Sequence, residues 1–423
     1  MPERRLRLAV LARSVHPLHG VGGLERHVHD LVVHLAARGV DVTLICPPPR
    51  DPSLGAALPA RLVSVPYVTF PGAGRRGTTV VDRATAYPLF GWRAGQRAAA
   101  LVRAGHVDVV HGLGASVLGY AVARRRDRGL TAPLVFNPQG LEEFGATRPD
   151  AARLKRLAYR PLQAAVRVCA RAADAVIATD TSLRPVVLAH LGVDDDRVTT
   201  IPNAIDLEAL DRLAGPDEGA AMRQAHGVPP ERFLLVSTGR LEQNKGFHVL
   251  VEALARAGAR LGDWHWVLVG DGPWRDRLAA AAGKAGLGSR IIMPGRLDDA
   301  RLHAWYEAAD VFVHPTLYEG SSLVTLEAMA HRRAIVATRA GGLPDKVRPG
   351  ENGWLVPPGD AAALGAALLE AAGQRDALPR LGASSRRLVE ASFAWPAVAA
   401  ATEALYRRLL ASTGTHEAPG WRG

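Results

Sequence analysis

The stretch Tyr318-Glu319-Gly320-Ser321-Ser322-Leu323-Val324-Thr325-Leu326-Glu327-Ala328-Met329-Ala330 decides how this chain is read. It follows an apolar run, Asp310-Val311-Phe312-Val313-His314, with the length and composition of a buried strand. It then opens a helix. With Leu323 as origin and about 100° per residue, Leu326, Glu327 and Ala330 fall within roughly 60° of it. Glu327 therefore lies in the apolar stripe, where a carboxylate is costly unless it is paired or hydrogen-bonded. Two readings satisfy it: a pair of sugar hydroxyls, or the protein's own backbone. Glu319 is off that face, in the loop above the strand end, the edge at which open parallel sheets bind ligands.

A second cluster has the same layout. Phe233-Leu234-Leu235-Val236-Ser237 reads as a strand and runs into Thr238-Gly239-Arg240-Leu241-Glu242-Gln243-Asn244-Lys245-Gly246. Phe247, Leu250, Val251 and Leu254 then recur at helical spacing. Arg240 and Lys245 are thus placed between a strand end and a helix N-terminus, whose backbone N–H groups add partial positive charge. Arginine clasps two phosphate oxygens and lysine acts as a point charge, so the turn suits a diphosphate. Two cations on a solvated turn are the plainer alternative.

Together these clusters resemble the retaining GT-B glycosyltransferases, specifically glycosyltransferase family 4. The Glu-x7-Glu spacing of Glu319 and Glu327 matches, as do Gly239-Arg240 with Lys245-Gly246. So do Gly22-Gly23-Leu24-Glu25, Asp108-Val109-Val110-His111, Ile201-Pro202-Asn203-Ala204-Ile205-Asp206 and Ala340-Gly341-Gly342-Leu343-Pro344. The matches keep the family's order from about residue 6 to residue 411.

The resemblance implies a GT-B fold: two Rossmann-like α/β domains with a cleft between them. Residues 1–205 would form the acceptor-side domain and 206–392 the nucleotide-sugar domain. A helix over 393–411 would cross back to the first domain, and 412–423 would be a disordered tail. The implied reaction is retaining, metal-independent transfer of a hexosyl group from a nucleoside-diphosphate sugar to a hydroxyl acceptor. Arg240, Lys245 and Glu319 would be catalytic. Gly22, Gly23, Leu297, Gly320, Ser321, Ser322, Leu323 and Glu327 would complete the donor site. His111 and Gln139 would lie on the acceptor side. No cofactor is implied beyond the nucleotide sugar. A sugar-nucleotide epimerase or a phosphorylase on the same fold, and a non-catalytic nucleotide-sugar-binding protein, are the alternatives.

Composition bounds these readings. At 423 residues the chain suits two domains with large cores. No run approaches the roughly 18 apolar residues of a membrane span. The start, Met1-Pro2-Glu3-Arg4-Arg5, leads straight into a strand-like run without a signal-peptide pattern. Cys46 and Cys169 form no framework or metal-spaced pair. The expected location is the cytoplasm. Net charge is +11, and with only four lysines (Lys155, Lys245, Lys284, Lys346) nearly all of the basic residues are arginine. That surface favours anionic partners. Nucleic acid is not expected, because aromatic content is 5% and no zinc-finger, RNP or basic-zipper pattern occurs. The basic stretch Ala151–Ala173, with the turn Arg124-Arg125-Arg126, raises the expectation of peripheral contact with an anionic inner-membrane face.

Short apolar runs alternate with helical patterns. The first set is Leu6–Leu11, Val42–Cys46, Leu62–Val65, Val107–Val110, Leu134–Phe136, Ala175–Ala178 and Val198–Ile201. The second is Phe233–Val236, His265–Val269, Ile291–Met293, Val311–Val313, Ala334–Ala337 and Trp354–Val356. Strands spaced by helices imply parallel α/β units. Asn203–Pro216 reads as a hinge loop. Phe393–Leu410 reads as one helix with a single apolar stripe, which by adjacency alone would pack on the second domain.

Several motifs are weaker. Gly20-Val21-Gly22-Gly23 opens a helix but lacks the dinucleotide spacing G-x-G-x-x-G. Gly112-Leu113-Gly114 reads as a turn after a strand ending at Val110, with His111 at the strand's end. Gln139 stands where many relatives carry a histidine, and it cannot titrate. Asp194-Asp195-Asp196 mimics a metal-binding Asp-x-Asp but sits in a polar turn away from the other motifs.

Overall fold

Every apolar run named above becomes a strand of the computed structural model. The structure describes residues 5–20, 22–56, 58–69, 78–139, 141, 144 and 158–414. The first seven strands are β1 (Arg7–Leu11), β2 (Asp41–Cys46), β3 (Arg61–Ser64), β4 (Val109–Leu113), β5 (Leu134–Asn137), β6 (Ala175–Ala178) and β7 (Val198–Thr200). They form one parallel sheet in the order β3-β2-β1-β4-β5-β6-β7. The next six are β8 (Phe233–Thr238), β9 (Trp264–Val269), β10 (Ile291–Gly295), β11 (Val311–His314), β12 (Ala334–Thr338) and β13 (Gly353–Val356). They form a second parallel sheet, β10-β9-β8-β11-β12-β13. Helices cover both faces of such sheets, so central strands are buried throughout and read as continuous apolar runs.

Each sheet reverses its strand order once: between β1 and β4 in the first, and between β8 and β11 in the second. At such a switch point the loops after adjacent strands diverge to opposite faces and leave a crevice. The first sheet belongs to a unit of Met1–Pro202 and Trp395–Gly423; the second to a unit of Asn203–Ala394.

The unit boundary falls a few residues before the expected one. Ile205 bridges to Ala394, and its N–H donates to the Phe393 carbonyl at 2.9 Å, within unit two. The segment read as a hinge loop carries a helix, Leu207–Asp211, because the Asp206 side chain accepts from the Ala209 N–H and caps it.

Three helices frame unit one: α1 (Gly23–Ala37), α2 (Thr78–Arg103) and α3 (Arg160–Ala172). In unit two, α4 (Phe247–Ala257) follows β8, α5 (Asp299–Ala308) precedes β11, and α6 (Leu323–Ala330) follows it. The last helix, α7 (Trp395–Gly414), belongs to unit one. It packs on α1: Trp395 is fully buried, its indole N–H donates to Asp30 at 3.1 Å, and its ring stacks on His34. Glu403 pairs with Arg38 at 2.7 Å. The helix therefore includes 412–414, read above as tail; 415–423 lie outside the described residues.

Among the described residues no helix is long and apolar enough to cross a membrane. The basic stretch divides. Arg153, Lys155 and Arg156 lie outside the described residues. On α3, Arg167 donates to the His190 carbonyl and lies over the Phe144 ring, and Arg171 donates to the Leu191 carbonyl. Arg124 pairs with Asp174. Those three arginines are held by the protein itself, which leaves a smaller basic surface than the sequence implied.

Candidate active site

The switch point of the second sheet gathers most of the expected donor residues. After β8 the chain makes a short 3-10 turn, Gln243–Lys245, and enters α4 through Gly246. Gly246 has φ +68°, and a Cβ there would lie 1.9 Å from the Pro315 carbonyl oxygen, so only glycine fits. This close approach joins the loops after β8 and β11. The Leu317 N–H and the Thr316 hydroxyl both donate to the Asn244 carbonyl, at 2.7 and 3.0 Å. Lys245 is thereby carried to Glu319, 74 positions away, with Nζ 2.7 Å from Oε2.

Glu319 is held from a second side. His314, the last residue of β11 and fully buried, places Nε2 2.9 Å from the same oxygen. Burial would raise the Glu319 pKa, but the His314 hydrogen bond and the Lys245 charge outweigh it and hold it down to about 2. An ionised carboxylate only accepts, so His314 Nε2 must carry the proton. Burial pushes the His314 pKa down against the pull of Glu319, which keeps the ring neutral. Its Nδ1 is buried without a partner among the described residues.

Glu327 lies in α6, half-buried, and Oε2 accepts from the Tyr306 hydroxyl of α5 at 2.8 Å. Its satisfaction thus comes at least partly from the protein, through the Tyr306 side chain. Tyr306 is itself fully buried; burial and the Glu327 charge drive its pKa upward, so it stays a donor.

The loop between Glu319 and α6 completes the arrangement. Ser322 caps α6, its hydroxyl accepting from the Thr325 N–H. The N-terminal N–H groups of α6 adjoin Ser321, Ser322 and Leu323. Gly341, at φ +52°, lets its loop press onto Glu319, where a Cβ would lie 1.9 Å from the carbonyl oxygen. The Gly342 N–H donates to the Gly320 carbonyl at 3.3 Å. Lys346, fully buried, donates to the Ser321 hydroxyl and the Gly342 carbonyl, both at 3.3 Å, and faces the Phe393 ring.

Not all expected donor residues join this cluster. Arg240 is 71% exposed and pairs with Glu242 at 2.9 Å, apart from the Lys245–Glu319 pair. Leu297 packs its side chain on the apolar core of unit two. Gly22 and Gly23 belong to unit one, where Gly22 precedes α1 and Gly23 begins it.

Unit one has its own concavity at its own switch point. A cavity of about 310 Å³ is lined by Arg13, Glu25, Arg83, Tyr87, Gly114 and Gln139, with apolar residues of α3 beneath. Gln139 follows β5 in a left-handed conformation, φ +62°, its N–H donating to Asn137 Oδ1 at 3.0 Å. Its Nε2 is buried without a partner among the described residues. His111 does not line this cavity. It lies inside β4 rather than at its end, because the strand continues through Gly112 and Leu113. It is 1% exposed, its Nδ1 is 2.6 Å from the Tyr406 hydroxyl of α7, and burial pushes its pKa down to about 3. The expected turn Gly112-Leu113-Gly114 is accordingly strand followed by a 3-10 turn from Gly114. Asp194 and Asp195 pair with Arg197 and Arg184 at 3.1 and 2.8 Å.

Sequence reasoning passed over Tyr306, Lys346 and the role of His314. A polar residue closing an apolar strand was the available signal for His314. Lys346 was visible as one of only four lysines in the chain.

Both halves match known families. Residues 21–209 match the family model for glycosyltransferase family 4, and residues 232–374 that for glycosyl transferases group 1. A glycogen synthase of Mycobacterium tuberculosis is 30% identical over 399 residues, covering 91% of each chain. A D-inositol 3-phosphate glycosyltransferase of Catenulispora acidiphila is 36% identical over 251 residues, a match that spans 56% of that protein. The solved sucrose-phosphate synthase of Thermosynechococcus elongatus superposes with a TM-score of 0.74 at 25% identity, covering 96% of this chain and all of that one. With the motifs in order on two parallel sheets and a relative aligned along nine-tenths of its length, the chain belongs to the retaining glycosyltransferase family 4, nucleotide-sugar-dependent enzymes of GT-B fold.

Proposed function

We propose that the protein transfers a hexosyl group from a nucleoside-diphosphate sugar to a hydroxyl acceptor, with retention and without a metal ion. The observation that carries this reading is the Lys245–Glu319–His314 cluster at the second switch point. Glu319, ionised at any working pH, accepts from the sugar hydroxyls and orients the ring. Glu327, steadied by Tyr306, accepts from the ribose hydroxyls. Backbone of Ser321, Ser322 and Leu323 meets phosphate or sugar, and the backbone beside Leu297 meets the base.

As the bond from the anomeric carbon to the diphosphate oxygen breaks, the electron pair leaves on the diphosphate. Lys245, Arg240 and the N-terminus of α6 stabilise that growing charge, the kind of fixed electrostatic help that dominates such steps. No side chain of the cluster is both nucleophilic and free of another duty. The acceptor oxygen therefore attacks from the face the diphosphate leaves, and its proton passes to a departing phosphate oxygen. Gln139 donates hydrogen bonds on the acceptor side and takes no proton.

The test is turnover of a panel of nucleotide sugars in excess chelator, with the product anomer read by NMR coupling. Retention with chelator-insensitive turnover is expected. Loss on chelation with rescue by magnesium or manganese defeats metal independence. Nucleotide-sugar binding with neither transfer nor donor hydrolysis would return the protein to the class of non-catalytic binders.

A further inference from the structure

Two of the four lysines in this chain stand at one loop: Lys245 meets Glu319, and two residues further on Lys346 meets Ser321. Lys245 belongs to the charge-stabilising set. Lys346 is the more costly of the two to keep, because it is fully buried and a buried ammonium forfeits its hydration.

Its place is fixed from the backbone outward. Lys346 ends a short helix, Leu343–Lys346, and its carbonyl accepts from the Asn352 side-chain amide at 2.9 Å. Asn352 is itself buried and accepts from the Arg348 N–H at 2.7 Å. Lys346 Nζ then donates to the Ser321 hydroxyl and the Gly342 carbonyl, both at 3.3 Å, with the Phe393 ring 5.6 Å away. Those two oxygens are neutral, so they hold the positive charge in place without cancelling it.

The surroundings add charge of the same sign. α6 begins at Leu323, two residues after Ser321, and brings the partial positive end of its backbone to this loop. The Lys346 charge also reaches the end of β11: burial is the largest cause of the lowered His314 pKa, and the Lys245 and Lys346 charges add to it. A cation beside a helix N-terminus is unfavourable until an anion joins them. A sugar hydroxyl would not relieve this crowding of positive charge; a phosphate does.

Ser321 shows where the charge is directed. A hydroxyl has one proton to donate and two lone pairs. An ammonium only donates, so Lys346 takes up one Ser321 lone pair. The Ser321 side chain is half-buried, and among the described residues its proton has no acceptor. An O–H whose oxygen accepts from an ammonium is a stronger donor. Ser322 differs: it is buried, and its hydroxyl is spent on the Thr325 N–H and hydroxyl. One serine closes the helix, and the other presents a polarised donor beside it.

We propose that Lys346 is a positioning residue of the transfer step: it turns the Ser321 hydroxyl proton toward the donor diphosphate and strengthens that hydrogen bond as the phosphate gains charge. Ser321 then meets the donor through its side chain as well as its backbone. No proton changes hands. The electron pair of the anomeric bond goes to the diphosphate oxygen, while Ser321 and Lys346 keep their protons. The inference rests on the transferase reading above and deepens it.

The experiment is calorimetry on the full chain with UDP and UMP, ADP and AMP, and GDP and GMP, together with thermal midpoints and donor turnover. The variants are Lys346→Met, Ser321→Ala and the two combined. In the wild type at least one diphosphate should bind better than its monophosphate. Each single variant should cut that preference roughly tenfold and leave monophosphate affinity within about twofold. Because the two residues act as one unit, the combined variant should lose no more than the worse single one. A free diphosphate carries the charge that develops on departure and the intact donor does not, so turnover should fall in kcat more than it rises in KM. No diphosphate preference in the wild type overturns the inference, as does an unchanged preference in Lys346→Met or losses that multiply in the combined variant. A lowered thermal midpoint with equal loss of mono- and diphosphate binding also overturns it, since a purely structural lysine gives that result. If Lys346→Met does not fold, Ser321→Ala decides alone, and a preference left intact there overturns the inference. Preference lost in the variants, with no turnover of any nucleotide sugar by the wild type, would defeat the transferase reading and leave the action of Lys346 on Ser321 standing.

Discussion

The two switch points share a strand order and treat charge in opposite ways. In unit two, each charged side chain meets a charged or hydrogen-bonding partner: Lys245 with Glu319, Glu319 with His314, Glu327 with Tyr306, Arg240 with Glu242. In unit one, Arg13 finds no acceptor among the described residues, and Gln139 Nε2 and Asp82 Oδ1 are buried without partners. The difference teaches how one architecture serves two ligands. A site that stabilises developing charge works best when its groups are already oriented, and mutual pairing fixes them. A site that recognises a finished ground-state molecule keeps its hydrogen-bonding capacity for that molecule.

The hardest blow to this contrast is removal of the unit-two cations. Lys245→Ala and Arg240→Ala should each lower turnover by roughly 10²–10³-fold. The Lys245 change also strips Glu319 of its counter-charge, so it should be the more severe of the two. Wild-type turnover in either variant would remove that residue from the charge-stabilising set.

The next is aimed at the support of Glu327. Hydrogen bonds to charged groups are worth about 1.5–3 kcal/mol, so Tyr306→Phe should weaken nucleoside-diphosphate binding by roughly tenfold or more. Calorimetry decides, with Glu327→Gln as reference. Unchanged affinity in both would make the Tyr306–Glu327 pair purely structural.

Acid should weaken unit one through two buried histidines, His111 and His27. Burial holds His111 at about 3 and His27 at about 4, both below the ordinary histidine value. Below pH about 6.5 the unfolded chain then binds more protons than the folded one, so stability falls with pH by up to about 1.4 kcal/mol per unit for each ring. That loss ends once pH drops beneath the folded-state values. His111→Gln should flatten the slope of the denaturation midpoint between pH 6.5 and 4. Glu319, held at about 2, adds its own loss only at lower pH, from about 4.3 downward. An unaltered slope in His111→Gln would mean the ring is not neutral in the folded state.

The smallest effect concerns Gln139. A left-handed conformation costs a side-chain-bearing residue roughly 1–2 kcal/mol, and glycine returns about 0.5–1 of that through backbone entropy. Gln139→Gly should therefore raise the thermal midpoint slightly, while weakening whatever the amide holds. A lower midpoint would show that the Gln139 side chain stabilises the fold.

Much of this was legible in the sequence because parallel strands buried on both faces announce themselves as apolar runs. Even β4 was found, but its end was misplaced: His111 and Gly112 interrupt the apolar pattern although both are in the strand. Glu319, Glu327 and Lys245 could be named from local spacing. Their pairing could not, since Lys245 meets Glu319 across 74 positions through a Gly246 contact that only the folded backbone makes. Tyr306 and Lys346 were passed over, because their burial is a property of packing rather than of local periodicity. The cavity beside Arg13 is assembled from the ends of β1, β4 and β5 together with α2, and no single stretch of sequence carries it.

The docking of α7 onto α1 has a consequence for how the chain is made. Trp395 reaches Asp30 across 365 positions, as Glu403 reaches Arg38. Unit two is continuous and can close as soon as its own residues have left the ribosome. Unit one, begun first, is finished last, because the groove over α1 is filled only after the whole of unit two has been synthesised. Until then the surfaces of His27 and His34 that receive Trp395 stand uncovered. A stop codon or proteolytic cut just after unit two would therefore injure the opposite unit, the one that contains the chain's beginning.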